Sequence, residues 1–72
     1  MNWEELDALG NQLREIGHRR RELAEKIYSE VQEGSSQASV ELYKELSSLS
    51  DSAIELMKHQ KKLFEEQINS FS

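Results

Sequence analysis

The chain has 72 residues, of which 36% are apolar and 32% charged, with a net charge of −5 and no cysteine. That length allows one domain, residues 1–72, and the missing cysteines exclude disulfides and thiolate metal sites. The acidic balance argues against a general nucleic-acid binder, whose footprint should be basic.

Proline is absent and glycine occurs three times, against abundant Glu, Leu, Lys, Gln and Ser, so helix is expected nearly everywhere. No apolar run approaches the roughly 20 residues of a membrane span and no secretory leader pattern opens the sequence, so a cytoplasmic protein without membrane contact is the expectation. A core this small rarely supplies more than about 3–5 kcal/mol, and with disulfides excluded the usual further source of stability is another subunit.

The first predicted helix spans about residues 3–33. Asn2 is an N-cap with Glu5 at the spacing of a capping box, and Glu4, Glu5 and Asp7 put negative charge where the helix dipole favours it. Trp3, Leu6, Leu9, Leu13, Ile16, Leu23, Ile27 and Val31 recur at three- and four-residue steps, forming a narrow apolar seam that also includes Arg20. Beside the seam Gly10, Gly17 and Ala24 recur every seven residues. Each glycine costs about 0.5–1 kcal/mol in a helix interior, so the stripe reads either as a loosened helix or as a groove that receives a neighbouring helix. Gly34 is the expected left-handed residue that stops the helix.

After the short stretch Ser35-Ser36-Gln37, a second helix is predicted over about 38–70. So short a loop makes the two helices antiparallel neighbours. Folding the chain about 34–36 pairs residues whose numbers sum to about 70 or 71, so that Val31 meets Val40, Ile27 meets Tyr43, Leu23 meets Leu46, Gly17 meets Ala53 and Ile54, Leu13 meets Met57, Leu6 meets Phe64 and Trp3 meets Ile68. The second helix carries two adjacent apolar rows. One holds Leu42, Leu46, Leu49, Ala53, Leu56, Gln60 and Leu63; the other holds Tyr43, Ser50, Ile54, Met57, Phe64, Ile68 and Phe71. A two-helix hairpin buries one face per helix, so the surplus row predicts a further contact. Dimerisation into a four-helix bundle or docking on a heterologous helical partner would satisfy it, and the near-3.5 period suits coiled-coil packing.

The run His18-Arg19-Arg20-Arg21 points in four directions on a helix, and Glu15, Glu22 and Glu25 lie within a turn. Arg20 sits on the seam, where it either packs its stem and lifts the guanidinium to water or makes a register-setting contact with a partner helix. Lys58, His59, Lys61 and Lys62 form a second basic cluster, with Glu65 and Glu66 one turn beyond the last two lysines. The alternative functional reading uses Arg14, Arg19, Arg21, Lys58 and Lys62 for nucleic acid, in the manner of the helical-hairpin plasmid copy-number regulators.

Chemistry-bearing patterns are absent: no Ser/His/Asp or Cys/His set, no phosphate-binding glycine loop, no HExxH, and only two histidines, His18 and His59. No enzyme activity, cofactor or metal is expected. Three stretches resemble known families. Arg20-Arg21-Glu22-Leu23-Ala24-Glu25-Lys26-Ile27 resembles the first helix of the helical chorismate mutases, but Val31 and Gln32 stand where that family needs a lysine. Ser39-Val40-Glu41-Leu42 resembles the opening of the motif of small sporulation phosphatases that act on a response regulator, with Tyr43 in place of the essential Asp, which implies an inactive relative. The region from Gly34 through Ser52-Ala53-Ile54-Glu55-Leu56-Met57 is similar to the second helix of the needle-subunit co-chaperones of type III secretion. That resemblance covers one helix, leaves residues 58–72 outside it, and implies an acidic hairpin that packs against a larger helical-repeat chaperone.

The sequence therefore predicts an all-α antiparallel hairpin that acts as a non-enzymatic protein-interaction module. Its expected contact residues are Tyr43, Ile54, Met57, Phe64, Ile68 and Phe71 on the second helix, with Gly10, Gly17 and Arg20 on the first.

Overall fold

The computed structural model describes residues 2–71 as two antiparallel helices, α1 over Trp3–Gln32 and α2 over Ser36–Asn69. The hairpin is a slender rod of 56 × 16 × 13 Å. The all-α fold class follows the sequence expectation, with ends displaced by one or two residues at the turn.

The caps explain those ends. Asn2 adopts an extended backbone and its side-chain oxygen accepts from the Glu5 N–H at 3.1 Å, so the first turn starts where the sequence places it. At the other end Gly34 takes φ +79°, the Gly34 N–H donates to the Val31 carbonyl at 3.1 Å and the Ser35 N–H donates to the Glu30 carbonyl at 2.9 Å. These two bonds are the Schellman arrangement, which satisfies carbonyls the helix would otherwise leave open. Glu33 becomes the C-cap of α1. Ser35 caps α2 through its carbonyl, which accepts from the backbone N–H and the hydroxyl of Ser39. The second helix therefore starts at Ser36, two residues before the predicted 38.

The core is one seam. Leu6, Leu9 and Leu23 of α1 are buried, with Leu13, Ile16 and Ile27 half-buried along the same row. On α2 the buried or half-buried row is Leu42, Leu46, Leu49, Ala53, Leu56, Gln60 and Leu63. This corrects the pairing drawn from the sequence, which turned the neighbouring row of α2 inward: Tyr43, Ile54, Met57, Phe64 and Ile68 lie outside the seam and are exposed. Trp3, Val31 and Val40, also paired in that scheme, are exposed as well. The observed rotation of α2 is the one that brings Glu45 to Arg19 and His59 to Glu5, with nitrogen–oxygen distances of 2.6 and 3.0 Å. Leucine recurring at nearly every turn of the buried row fills the space between the rods with aliphatic side chains and keeps the hydroxyls and aromatic rings outside.

Candidate docking face

Residues turn by about 100° along a helix, so each buried row is flanked by one row on either side. Because α2 runs antiparallel to α1, flanks reached by turning the same way from the two seams lie on the same side of the hairpin. One broad face therefore combines Glu5, Gln12 and Arg19 of α1 with Glu45, Ser52 and His59 of α2. The opposite face combines Gly10, Gly17 and Ala24 with Tyr43, Ser50, Met57 and Phe64.

Bonds and grooves between the helices bear out both assignments. On the polar face, Arg19 donates twice to Glu45, from Nε to Oε2 at 2.6 Å and from Nη2 to Oε1 at 3.1 Å, and also from Nη1 to Glu22 at 3.3 Å. A groove of about 700 Å³ on that side is lined by Gln12, Glu15 and Ile16 from α1 and by Asp51, Ser52, Glu55, Leu56 and His59 from α2. Among the described residues no group of three His, Asp or Glu side chains is placed to hold a metal ion.

The hydrogen bonds from Arg19 hold the Glu45 carboxyl below its ordinary value, with the charges of Arg19 and Lys26 adding to the effect. Glu45 in turn raises Arg19. A carboxyl whose folded pKa is depressed contributes stability above its unfolded value of about 4.5 and loses it as the pH falls through the lower folded value. The stability gap between wild type and Glu45→Gln, read from urea unfolding, is therefore expected to be constant above that value and to close on further acidification. A gap that is unchanged in acid would show that this pair contributes nothing to folding.

The opposite face is apolar. Trp3, Tyr28, Tyr43, Ile54, Met57, Phe64, Ile68 and Phe71 are between 41% and 82% exposed. Six of these are the residues that the sequence assigns to partner contact; Tyr43, Ile54, Met57, Phe64 and Ile68 share one flank of α2, and Phe71 follows its C-terminal end. Gly10 and Gly17 lie beside them on α1, and a Cβ built on either meets nothing within 4 Å. The glycines therefore do not make room for α2; whatever use the groove has lies outside the hairpin. A smaller notch, lined by Gly17, Arg20, Arg21, Ala24 and Leu46, opens on this side.

Arg20 stands at the middle of the apolar face, reaching across it. Its Nε donates to Ser50 Oγ at 3.0 Å, and Ser50 Oγ donates on to the Leu46 carbonyl at 2.9 Å. The residue is exposed, and its guanidinium makes its interhelical contact with α2 of its own chain.

The remaining cations of the alternative reading are largely engaged with acids. Arg21 pairs with Glu25 at 3.3 Å and Lys58 with Glu55 at 3.4 Å, alongside Arg19 with Glu45. Sequence reasoning found the local partners of Arg19 and Arg21 but missed the interhelical pairs of Arg19 and His59. Their signal was present as ionisable residues two heptads apart beside the seam, Glu5 and Arg19 on one helix, Glu45 and His59 on the other. Among the described residues no helix is long and apolar enough to cross a membrane. No protein-family model, curated protein or solved structure matches this chain.

Proposed function

We propose that the protein is a non-enzymatic interaction module, a small adaptor, co-chaperone or regulator, that works by covering its apolar face with another helical surface. The observation that carries this reading is the segregation of the two faces. The ionic contacts between the helices and the larger groove occupy one side, while the other carries a strip of large apolar side chains in water, crossed by Arg20 and flanked by Arg21. Contiguous apolar patches of that kind mark interaction sites. The resemblance of α2 to the secretion co-chaperones points the same way, toward a chain that docks on a helical protein in the cytoplasm.

The test uses a photo-reactive residue placed on each face in cells that make the protein. Substitution at Tyr43 or Ile68 is expected to give protein adducts, whereas the same probe at Glu22 or Ser52 gives none. Equal labelling from both faces, or labelling from the polar face alone, would overturn the reading.

A further inference from the structure

The interaction reading leaves open what covers the apolar face. We propose that the occupant is a second copy of this chain, related by a two-fold axis parallel to the helices, so that α1 of each copy lies on α2 of the other. This inference rests on the reading of that face as a docking surface.

At two levels the two helices supply opposite shapes on the same face, Gly10 against Met57 and Ala24 against Tyr43. Trp3, Gly10, Gly17 and Ala24 form a row on α1 with a seven-residue period, and Tyr43, Ser50, Met57 and Phe64 form a row on α2 with the same period. Their heights can be compared through the side-chain contacts between the helices. The numbers of contacting residues sum to 64 for Arg19–Glu45 and Glu5–His59 on one flank, and to 70 for Arg20–Ser50 toward the other. Residues of the seam whose numbers sum to about 67 therefore stand at one height along the rod. Both rows obey that rule: Gly10 is level with Met57, Gly17 with Ser50, Ala24 with Tyr43, and Trp3 with Phe64.

A rotation about an axis parallel to the rod leaves every height unchanged, so the same levels face each other across a pair of copies. Met57 of the second copy then lies over Gly10, and its Tyr43 ring over Ala24 and the adjoining notch. The small pair Gly17 and Ser50 sets the closest approach. A two-fold axis perpendicular to the rod would instead lay glycine stripe on glycine stripe and bulky row on bulky row. Shape selects the parallel axis.

Size is sufficient. A face 56 Å long and 16 Å wide offers about 900 Å² per copy, against roughly 800 Å² per partner in a specific interface of standard size. One layer opposes association: the two Arg20 guanidiniums approach the axis at the same height, with Ser50 hydroxyls and no carboxylate beside them. Such a layer fixes register at a cost in affinity, and aliphatic replacement should remove the cost.

The test is made on the whole chain in solution. Light scattering is expected to give twice the chain mass, with the dissociation constant raised at least about tenfold by Phe64→Glu and lowered about tenfold by Arg20→Leu. The chain has no cysteine, so a Gly17→Cys chain mixed with a Ser50→Cys chain should form a mixed disulfide, while either variant alone forms none. Circular dichroism confirms that each variant stays helical. Bridging of like variants only, or weaker association of Arg20→Leu, would overturn the parallel-axis arrangement. A monomer at every accessible concentration would overturn the second copy as occupant and leave the face to a different protein. A dimer indifferent to Phe64→Glu would overturn the role of the face itself.

Discussion

Replacing Leu23 by Ala is expected to remove most of the stability of the isolated hairpin. Leu23 is 0% exposed and is the one side chain completely enclosed among the described residues. Loss of a fully buried leucine costs about 2–5 kcal/mol, because transfer free energy is forfeited and the cavity does not close fully. A core of this size supplies only about 3–5 kcal/mol in total. Urea unfolding followed by circular dichroism should therefore find Leu23→Ala largely unfolded without denaturant, at concentrations where the chain is monomeric. Val40→Ala, at an exposed position, should stay within about 0.5 kcal/mol of wild type. A Leu23→Ala cost below about 1 kcal/mol would mean that the seam is not where the folding energy resides.

The second large effect is a change of sign. Gly17→Leu should stabilise the lone hairpin by about 0.5–1 kcal/mol, since a helix-favouring residue replaces glycine and its Cβ meets nothing within 4 Å. In the associated state the same leucine intrudes where another helix lies closest, and overpacking costs about 1–3 kcal/mol at each such site. Melting at low concentration should rise while association measured at high concentration falls. If both rise, no helix lies against Gly17. If both fall, the loss lies within the hairpin and the open surroundings of Gly17 are refuted.

The hairpin itself was legible because its ends are locally encoded. Asn2 and Gly34 act through their own backbone neighbours, and each does what its residue type and position predict. The Leu42–Leu63 row was legible as the inward one by its heptad spacing. The residue-by-residue pairing was not, because folding the chain about its turn fixes levels along the rod and leaves the rotation of α2 open. The rotation observed is accompanied by the exposed contacts of Arg19 with Glu45 and of Glu5 with His59, neither of which the pattern of one helix can show. Gly10 and Gly17 share a stripe, as their spacing implies, but the pairing of Gly17 with Ala53 and Ile54 does not hold, since a Cβ built on Gly17 meets nothing within 4 Å. Periodicity shows which residues share a stripe and cannot show what faces the stripe. Arg20 falls between these cases: its place at the seam was visible, whereas its bond to Ser50, thirty residues on, depended on the rotation of α2.

The Schellman turn at Gly34 has a mechanical corollary. It ties the rods together covalently at one pole, so at that pole the helices cannot separate. At the far pole, 56 Å along the rod, only side chains hold them, and it is there that Trp3, Phe64, Ile68 and Phe71 gather in water. The hairpin is thus a pair of tongs, hinged at Gly34, whose tips carry the most adhesive rings. Parting the tips would uncover Leu6 and Leu9, so whatever grips the side chains there also bears on the end of the seam.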